Sequence, residues 1–284
     1  MSKLHKPKFT TTVIGEWIRA PEPPEAREAA EPDSGTRAQP RNGNGSTGLA
    51  LWSPPVSTAM TTRAWPSKVF VLDEVELPAR ADARLVMLRE PESARARSYR
   101  LLQHRLLARS NPRVIAVTSA EPGEGKTTVA VNLALALADE TMSRILLVEA
   151  NLRRPVLAGL FRFEPGESFV CRLAEHREVA PPYSVAAILG TRLQVAALPS
   201  SVAQDARLDR LLFGEALGDL RDVYDYIVID AASVLESADT DIVAECADGI
   251  IVAARSKKSR KSKLRRAVRE LSPATVFGTV LLDT

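Results

Sequence analysis

The chain predicts an α/β fold of three layers, a mainly parallel central sheet between two layers of helices, with a disordered arm ahead of it. Three observations predict it. Short, almost wholly apolar runs of strand length recur along residues 67–284, as strands covered on both faces require. Amphipathic segments of helix length separate them, the alternation that builds a parallel sheet. Residues 1–66, by contrast, hold nine of the 19 prolines and show no sustained period.

The arm is thus set at residues 1–66 and the folded domain at 67–284. Within the arm lie all three tryptophans, Trp17, Trp52 and Trp65, each in a short apolar patch. Two readings of these patches stay open: they fold back onto the domain, or they dock another protein.

In chain order, Ser93–Arg109 reads as a helix with Tyr99, Leu102 and Leu106 on one face. Val114–Thr118 is the first apolar strand, and Thr127–Leu137 the helix after it. Strands follow at Ile145–Val148 and Leu193–Leu198, then a helix over Ala203–Val223 with Leu208, Leu212, Ala216 and Leu220 near helical spacing. Tyr226–Asp230, Gly249–Ala254 and Val276–Leu282 complete the strands. Leu264, Val268 and Leu271 give the last connection a core-facing stripe. No internal repeat is present.

The chemistry concentrates between the first strand and its helix. Ala120–Thr128 reads Ala-Glu-Pro-Gly-Glu-Gly-Lys-Thr-Thr, a glycine-rich turn that opens a helix. Such a turn lets backbone N–H groups wrap a phosphate, and the helix N-terminus adds partial positive charge. Pro122, Gly123, Glu124, Gly125, Lys126, Thr127 and Thr128 therefore form the predicted nucleotide cradle of a P-loop NTPase fold. Ala120 stands where the general pattern has its first glycine, and a small residue still clears the loop. Lys126 is placed to reach the β and γ oxygens, and Thr127 to ligate Mg²⁺. A second carboxylate is needed opposite Thr127. Asp230 closes an apolar strand at its carboxyl end, where such sheets bind ligands, and is the predicted partner at the metal. ATP and Mg²⁺ are the predicted cofactors.

With these residues in hand, the chain resembles the bacterial tyrosine kinases (BY-kinases) of capsule and exopolysaccharide synthesis, over roughly residues 84 to 283. The carriers are Pro91-Glu92-Ser93 leading to Tyr99-Arg100, the Pro122–Thr127 loop, Asn132-Leu133-Ala134, Leu152-Arg153-Arg154-Pro155, Tyr224-Asp225-Tyr226 with Asp230, Asp239, and Asp248-Gly249. Each alone would also suit the related partitioning ATPases. The resemblance implies γ-phosphate transfer to tyrosines, usually in the C-terminal tail of a neighbouring subunit, under a membrane-bound polysaccharide copolymerase. It also implies a homo-oligomer.

Four departures bear on that chemistry. Where the family carries Asp-x-Asp-x-Arg, this chain has Glu149-Ala150-Asn151-Leu152-Arg153. Glu149 keeps a carboxylate and is the candidate base; Asn151 cannot ionise. Arg153 is assigned to the phosphates or to an interface. No tyrosine follows Tyr226, so the family's acceptor tail is expected to be missing. Of the oligomer motif Glu-x-x-Arg-x-x-Arg only Arg100 remains, beside Arg97 and Gln103, and Asp-x-Pro-Pro becomes Asp230-Ala231-Ala232-Ser233. Lys126, Glu149, Arg153 and Asp230 are thus the catalytic candidates of an ATP-dependent tyrosine kinase. The alternative is a nucleotide-binding regulator of a polysaccharide copolymerase or export complex that does not transfer phosphate to tyrosine.

Composition narrows the rest. The formal charge of +3 from 38 basic and 35 acidic residues does not argue for nucleic acid. Cys171 and Cys246 lack metal or redox spacing and read as reduced core residues, and the three histidines as surface ones. No run approaches the ~20 apolar residues of a membrane span, and no secretory leader opens the chain, so a cytoplasmic protein is expected, peripheral at most to the inner membrane face. Arg255–Arg269 holds nine lysines and arginines. A solvated helix face is the plain reading; an anionic membrane or acidic partner is the second, and nucleic acid the least supported.

Overall fold

The computed structural model describes residues 10–12, 69–77, 81–165, 183–199 and 207–283. The predicted boundary at 66/67, the tryptophan patches and Cys171 lie outside them.

Among the described residues the strands form one nine-stranded sheet. They are β1 (Thr10–Thr12), β2 (Val69–Val75), β3 (Val114–Ser119), β4 (Ile145–Ala150), β5 (Tyr183–Ile188), β6 (Leu193–Ala196), β7 (Tyr226–Ala231), β8 (Gly249–Arg255) and β9 (Val276–Asp283). Their order is β1-β9-β8-β3-β7-β4-β6-β5-β2, parallel throughout except where β5 meets β6 and β1 meets β9. The predicted mainly parallel sheet is therefore present.

Its residues alternate between two apolar layers. Ile115, Val117, Ile145, Leu147 and Val228 face one core, shared with helices α1 (Val86–Arg89), α2 (Ala94–Arg109) and α3 (Lys126–Glu140). Val114, Ala116, Leu146, Val148, Ile227 and Ile229 face the other. There they meet Phe213, Ala216 and Leu220 of α5 (Arg210–Arg221), Val243 of α6 (Asp239–Cys246) and Ala267 of α7 (Lys261–Glu270). A short α4 (Leu157–Phe161) follows β4. Because α3 lies between the sheet and α2, every residue from Val129 to Ala138 is buried, and all of them except Asn132 are apolar.

The structure corrects several sequence expectations. Thr10–Thr12 falls in the predicted arm yet pairs with β9, Thr10 opposite Asp283. This pairing covers backbone groups of β9 that would otherwise form an open sheet edge. Strands β2 and β5 and helices α1, α4 and α6 were not foreseen. The strand expected at Leu193–Leu198 ends at Ala196, and the amide of Leu198 donates to the Glu149 carboxylate (2.9 Å) instead of a ladder. The helix expected from Ala203 begins at Arg210, because Asp209 accepts from the amides of Leu211 and Leu212 as its N-cap. Cys246 is half-buried rather than a core residue.

Candidate functional site

Strand β3 delivers the chain to the P-loop at the carboxyl end of the sheet, between β7 and β8. The turn needs glycine at two points. Gly123 and Gly125 have φ of +75° and +96°, and Gly125 is the residue from which α3 starts. A Cβ on Gly125 would collide with Leu282, and one on Gly123 with the Lys258 ammonium.

The loop is braced from within and from outside. Glu124 is buried and its carboxylate accepts from the Glu121 amide at 2.8 Å, so this predicted cradle residue shapes the loop. Lys258 donates to the Gly123 carbonyl at 3.2 Å, and Lys263 pairs with Glu121. The segment after β7 is stitched to the loop's start. Thr118 donates to Ala232 O (2.6 Å), the amides of Val234 and Leu235 donate to Ser119 O and Ala120 O, and Thr240 donates to Ala232 O. Hydrogen bonds thus supply the stiffness that two prolines would give this loop.

At the first turn of α3, Thr127 Oγ1 donates to Asp230 Oδ2 at 2.7 Å. Asp230 has no exposed surface, and its Oδ1 has no hydrogen-bond partner among the described residues. Burial pushes its carboxyl up, opposed by the Lys126 ammonium, the Thr127 hydroxyl and Arg84. A buried carboxylate oxygen with no partner is costly, and a cation beside it removes the cost. Thr127 and Asp230 are therefore a fitting hydroxyl and carboxylate pair for Mg²⁺, a hard cation that takes oxygen ligands. Lys126 makes no salt bridge among the described residues and stays available to an anion.

Lys126, Thr127 and Thr128 line a cavity of about 370 Å³ together with Arg84, Tyr99, Arg255 and Asp283. Asn132 fixes one wall. Its side chain is fully buried, accepts from the Met87 amide (2.9 Å) and donates to Arg84 O (2.6 Å) and Thr128 O (2.7 Å). Sequence reasoning had no local signal for Arg84, Arg255 or Asp283 as lining residues, because they come from distant elements that only the fold brings together.

The other candidates are turned to the backbone or lie outside the cavity lining. Glu149 is opposite Asp230 in the β4–β7 register, yet its carboxylate turns to the backbone. One oxygen accepts from the amides of Val156 and Leu157 at the start of α4, the other from Leu198. Burial, with Asp230 adding to it, raises its carboxyl to about 7 against these three bonds. Asn151 is buried and donates to Arg154 O (3.0 Å), closing the turn after β4. Arg153 on that turn is exposed and outside the cavity lining, and Arg154 pairs with Glu236. In α2, Arg100 bonds to Asp139 and to Pro91 O, while Arg97 is exposed.

With the geometry set out, comparison gives the relatives. The model of the AAA domain family matches residues 112–267. The succinoglycan biosynthesis transport protein ExoP of Rhizobium meliloti is 30% identical over 209 residues, 70% of this chain. The chain spans only 26% of that relative's length. Tyrosine-protein kinase YwqD of Bacillus subtilis is 28% identical over 199 residues, covering 68% of this chain and 82% of YwqD. Among solved structures, the VpsO kinase domain superposes with a TM-score of 0.56 at 29% identity, over 66% of this chain and 93% of that domain. The chain belongs to the AAA domain family, and over its matched residues it is similar to a succinoglycan biosynthesis transport protein and to tyrosine-protein kinases.

Proposed function

We propose that this chain binds Mg-ATP at Ala120–Thr128 and acts as a tyrosine-kinase-type ATPase in exopolysaccharide or capsule synthesis. The observation that carries the reading is the Thr127–Asp230 pair, whose Asp230 Oδ1 has no hydrogen-bond partner among the described residues, with the Lys126 ammonium acting on the same carboxyl. In this reading Lys126 and the loop amides bind the β and γ phosphates, and Thr127 and Asp230 hold Mg²⁺. When bound, the ion neutralises phosphate charge and fixes the γ group for transfer. The partner is a membrane-bound polysaccharide copolymerase or activator, in a homo-oligomer at the inner face of the membrane. The polysaccharide role draws on a relative named as a succinoglycan biosynthesis transport protein, and the kinase role on one named as a tyrosine-protein kinase.

One observation favours the second reading, a nucleotide-binding regulator without tyrosine phosphotransfer. Glu149, the candidate base, spends both carboxylate oxygens on backbone amides, and Asn151 at the next acidic position is neutral. The chain's own tyrosines are also occupied: Tyr99, Tyr183 and Tyr224 are buried, and Tyr226 is half-buried in β7. The deciding assay therefore supplies an acceptor. Purified protein is incubated with Mg-ATP and a tyrosine-containing acceptor, alone and with the membrane partner. Phosphotyrosine that disappears with Lys126→Met supports the kinase; ATP binding with no phosphotyrosine in either mixture leaves the regulator.

A further inference from the structure

The turn between β8 and α7, and α7 itself, hold a density of positive charge that neither folding nor the phosphate site explains. Nine basic residues lie between Arg255 and Arg269. Two of them, Lys258 and Lys263, brace the P-loop, and Arg266 pairs with Glu270. Lys257, Arg260, Lys261, Arg265 and Arg269 are exposed and have no salt bridge among the described residues. Residues 261, 265 and 269 are four apart, so they form one row along the solvated side of α7. Ala267 is buried on the opposite side, and Leu264 and Val268 pack partly buried against the core.

Two features of this segment work against stability. Lys257 has φ of +64°, a left-handed backbone that is unfavourable to lysine and open to glycine. Helix α7 has no acidic residue in its first turn and no side-chain N-cap, and instead opens on Lys261 and Lys263. Cations there face the positive end of the helix dipole. A helix serving only to cover the core gains from the reverse arrangement. The turn itself is ordered: the Arg255 amide donates to Ser259 Oγ at 2.8 Å, and the Ser256 amide to Leu282 O at 2.8 Å.

The composition of the face identifies the kind of partner. Protein interfaces centre on apolar or aromatic anchors, but the exposed large apolar side chains among the described residues, Leu101, Met142, Leu189 and Leu211, all lie on other elements. Single-stranded nucleic acid is held by stacked aromatics, and α7 has none. The face offers charge alone over an extended surface, which a bilayer meets along its whole row and a nucleic-acid duplex only along a backbone. We infer that the β8–α7 turn and the outer row of α7 form a docking surface for a bilayer of anionic phospholipid. Lysines and arginines near such a surface each add attraction without needing a shaped pocket, and salt screens it. The same segment carries Lys258 and Lys263 on the P-loop, so the bilayer would lie beside the nucleotide site.

The test uses the full chain without nucleotide, so it does not depend on the ATP reading. Sedimentation with phosphatidylcholine vesicles is compared with sedimentation with vesicles that also contain phosphatidylglycerol. The wild type is expected to bind only the anionic vesicles, and less as salt rises. K257Q, R260Q, K261Q, R265Q and R269Q combined should weaken this by about a hundredfold or more, with an unchanged melting curve. R265Q with R269Q, a milder variant, should give a smaller loss in the same direction. R260K, R265K and R269K combined should keep binding, because headgroups read charge and not guanidinium shape. The inference is overturned if the wild type ignores anionic vesicles, if it binds both kinds equally, if the glutamine variants bind like the wild type, or if the all-lysine variant loses binding.

Discussion

At the residue scale the site divides into groups proposed to bind phosphate and groups that hold the frame. Glu149 belongs to the second by its contacts. Its folded carboxyl titrates near 7 against about 4.5 for the free side chain, so the folded state favours the neutral acid. The stability this contributes is complete below pH ~4.5 and is lost as pH rises through about 7. Glu149→Gln removes the titration; urea unfolding from pH 4.5 to 8 should show wild-type stability falling relative to the variant across that window. A parallel pair of curves would refute the assignment. Asn132→Ala leaves the Met87 amide without its buried acceptor and should cost about 1–3 kcal/mol by the same measurement. Lys126, Thr127 and Asp230 were legible in the sequence because a local motif and the end of an apolar run mark them. The contacts of Glu149 were not, since its partners Val156, Leu157 and Leu198 have no pattern that announces an unpaired amide. The family position alone made it a base.

At the scale of elements, the strands flanking the P-loop were readable because each is buried on both faces and so is apolar throughout. Strands β2 and β5 were missed for a physical reason. Val69–Val75 includes Asp73 and Glu74, both exposed, and Tyr183–Ile188 lies toward the same end of the sheet; their runs look like ordinary connecting segments. The connection before β8 offers a test of how elements are joined. Asp248 accepts from the amides of Arg113 and Val114 at 2.7 and 2.8 Å and pairs with Arg221, tying the starts of β3 and β8 to α5. Burial works against its charge, yet Arg221 and the two amides hold its carboxyl below the usual range. Its contribution is present at neutral pH and is lost as pH falls through that lowered value. Asp248→Ala should cost about 1–3 kcal/mol at pH 7, with the difference shrinking in acid. An equal loss at pH 7 and at pH 3 would contradict this.

For the whole molecule, the sheet order places the P-loop strand between β7, which carries Asp230, and β8, which leads into the basic turn. The residues proposed to hold nucleotide and metal thus share one end of the sheet with the basic turn, and ligand binding there should stabilise the entire fold. Saturating Mg-ATP should raise the melting temperature, since a ligand that binds only the folded state shifts unfolding by mass action. Gly125→Ala should abolish that rise, because the added methyl meets Leu282 and the φ of +96° is unfavourable to alanine. The central claim is that Lys126, Thr127 and Asp230 together hold Mg-ATP. Titration calorimetry of Mg-ATP into wild type, Lys126→Met and Asp230→Asn, each with and without Mg²⁺, tests it most directly. The account predicts saturable wild-type binding that weakens without Mg²⁺, a loss of about tenfold to a hundredfold for Lys126→Met, and no response to Mg²⁺ in Asp230→Asn. Wild-type affinity retained in both variants, or no binding by the wild type, would contradict it.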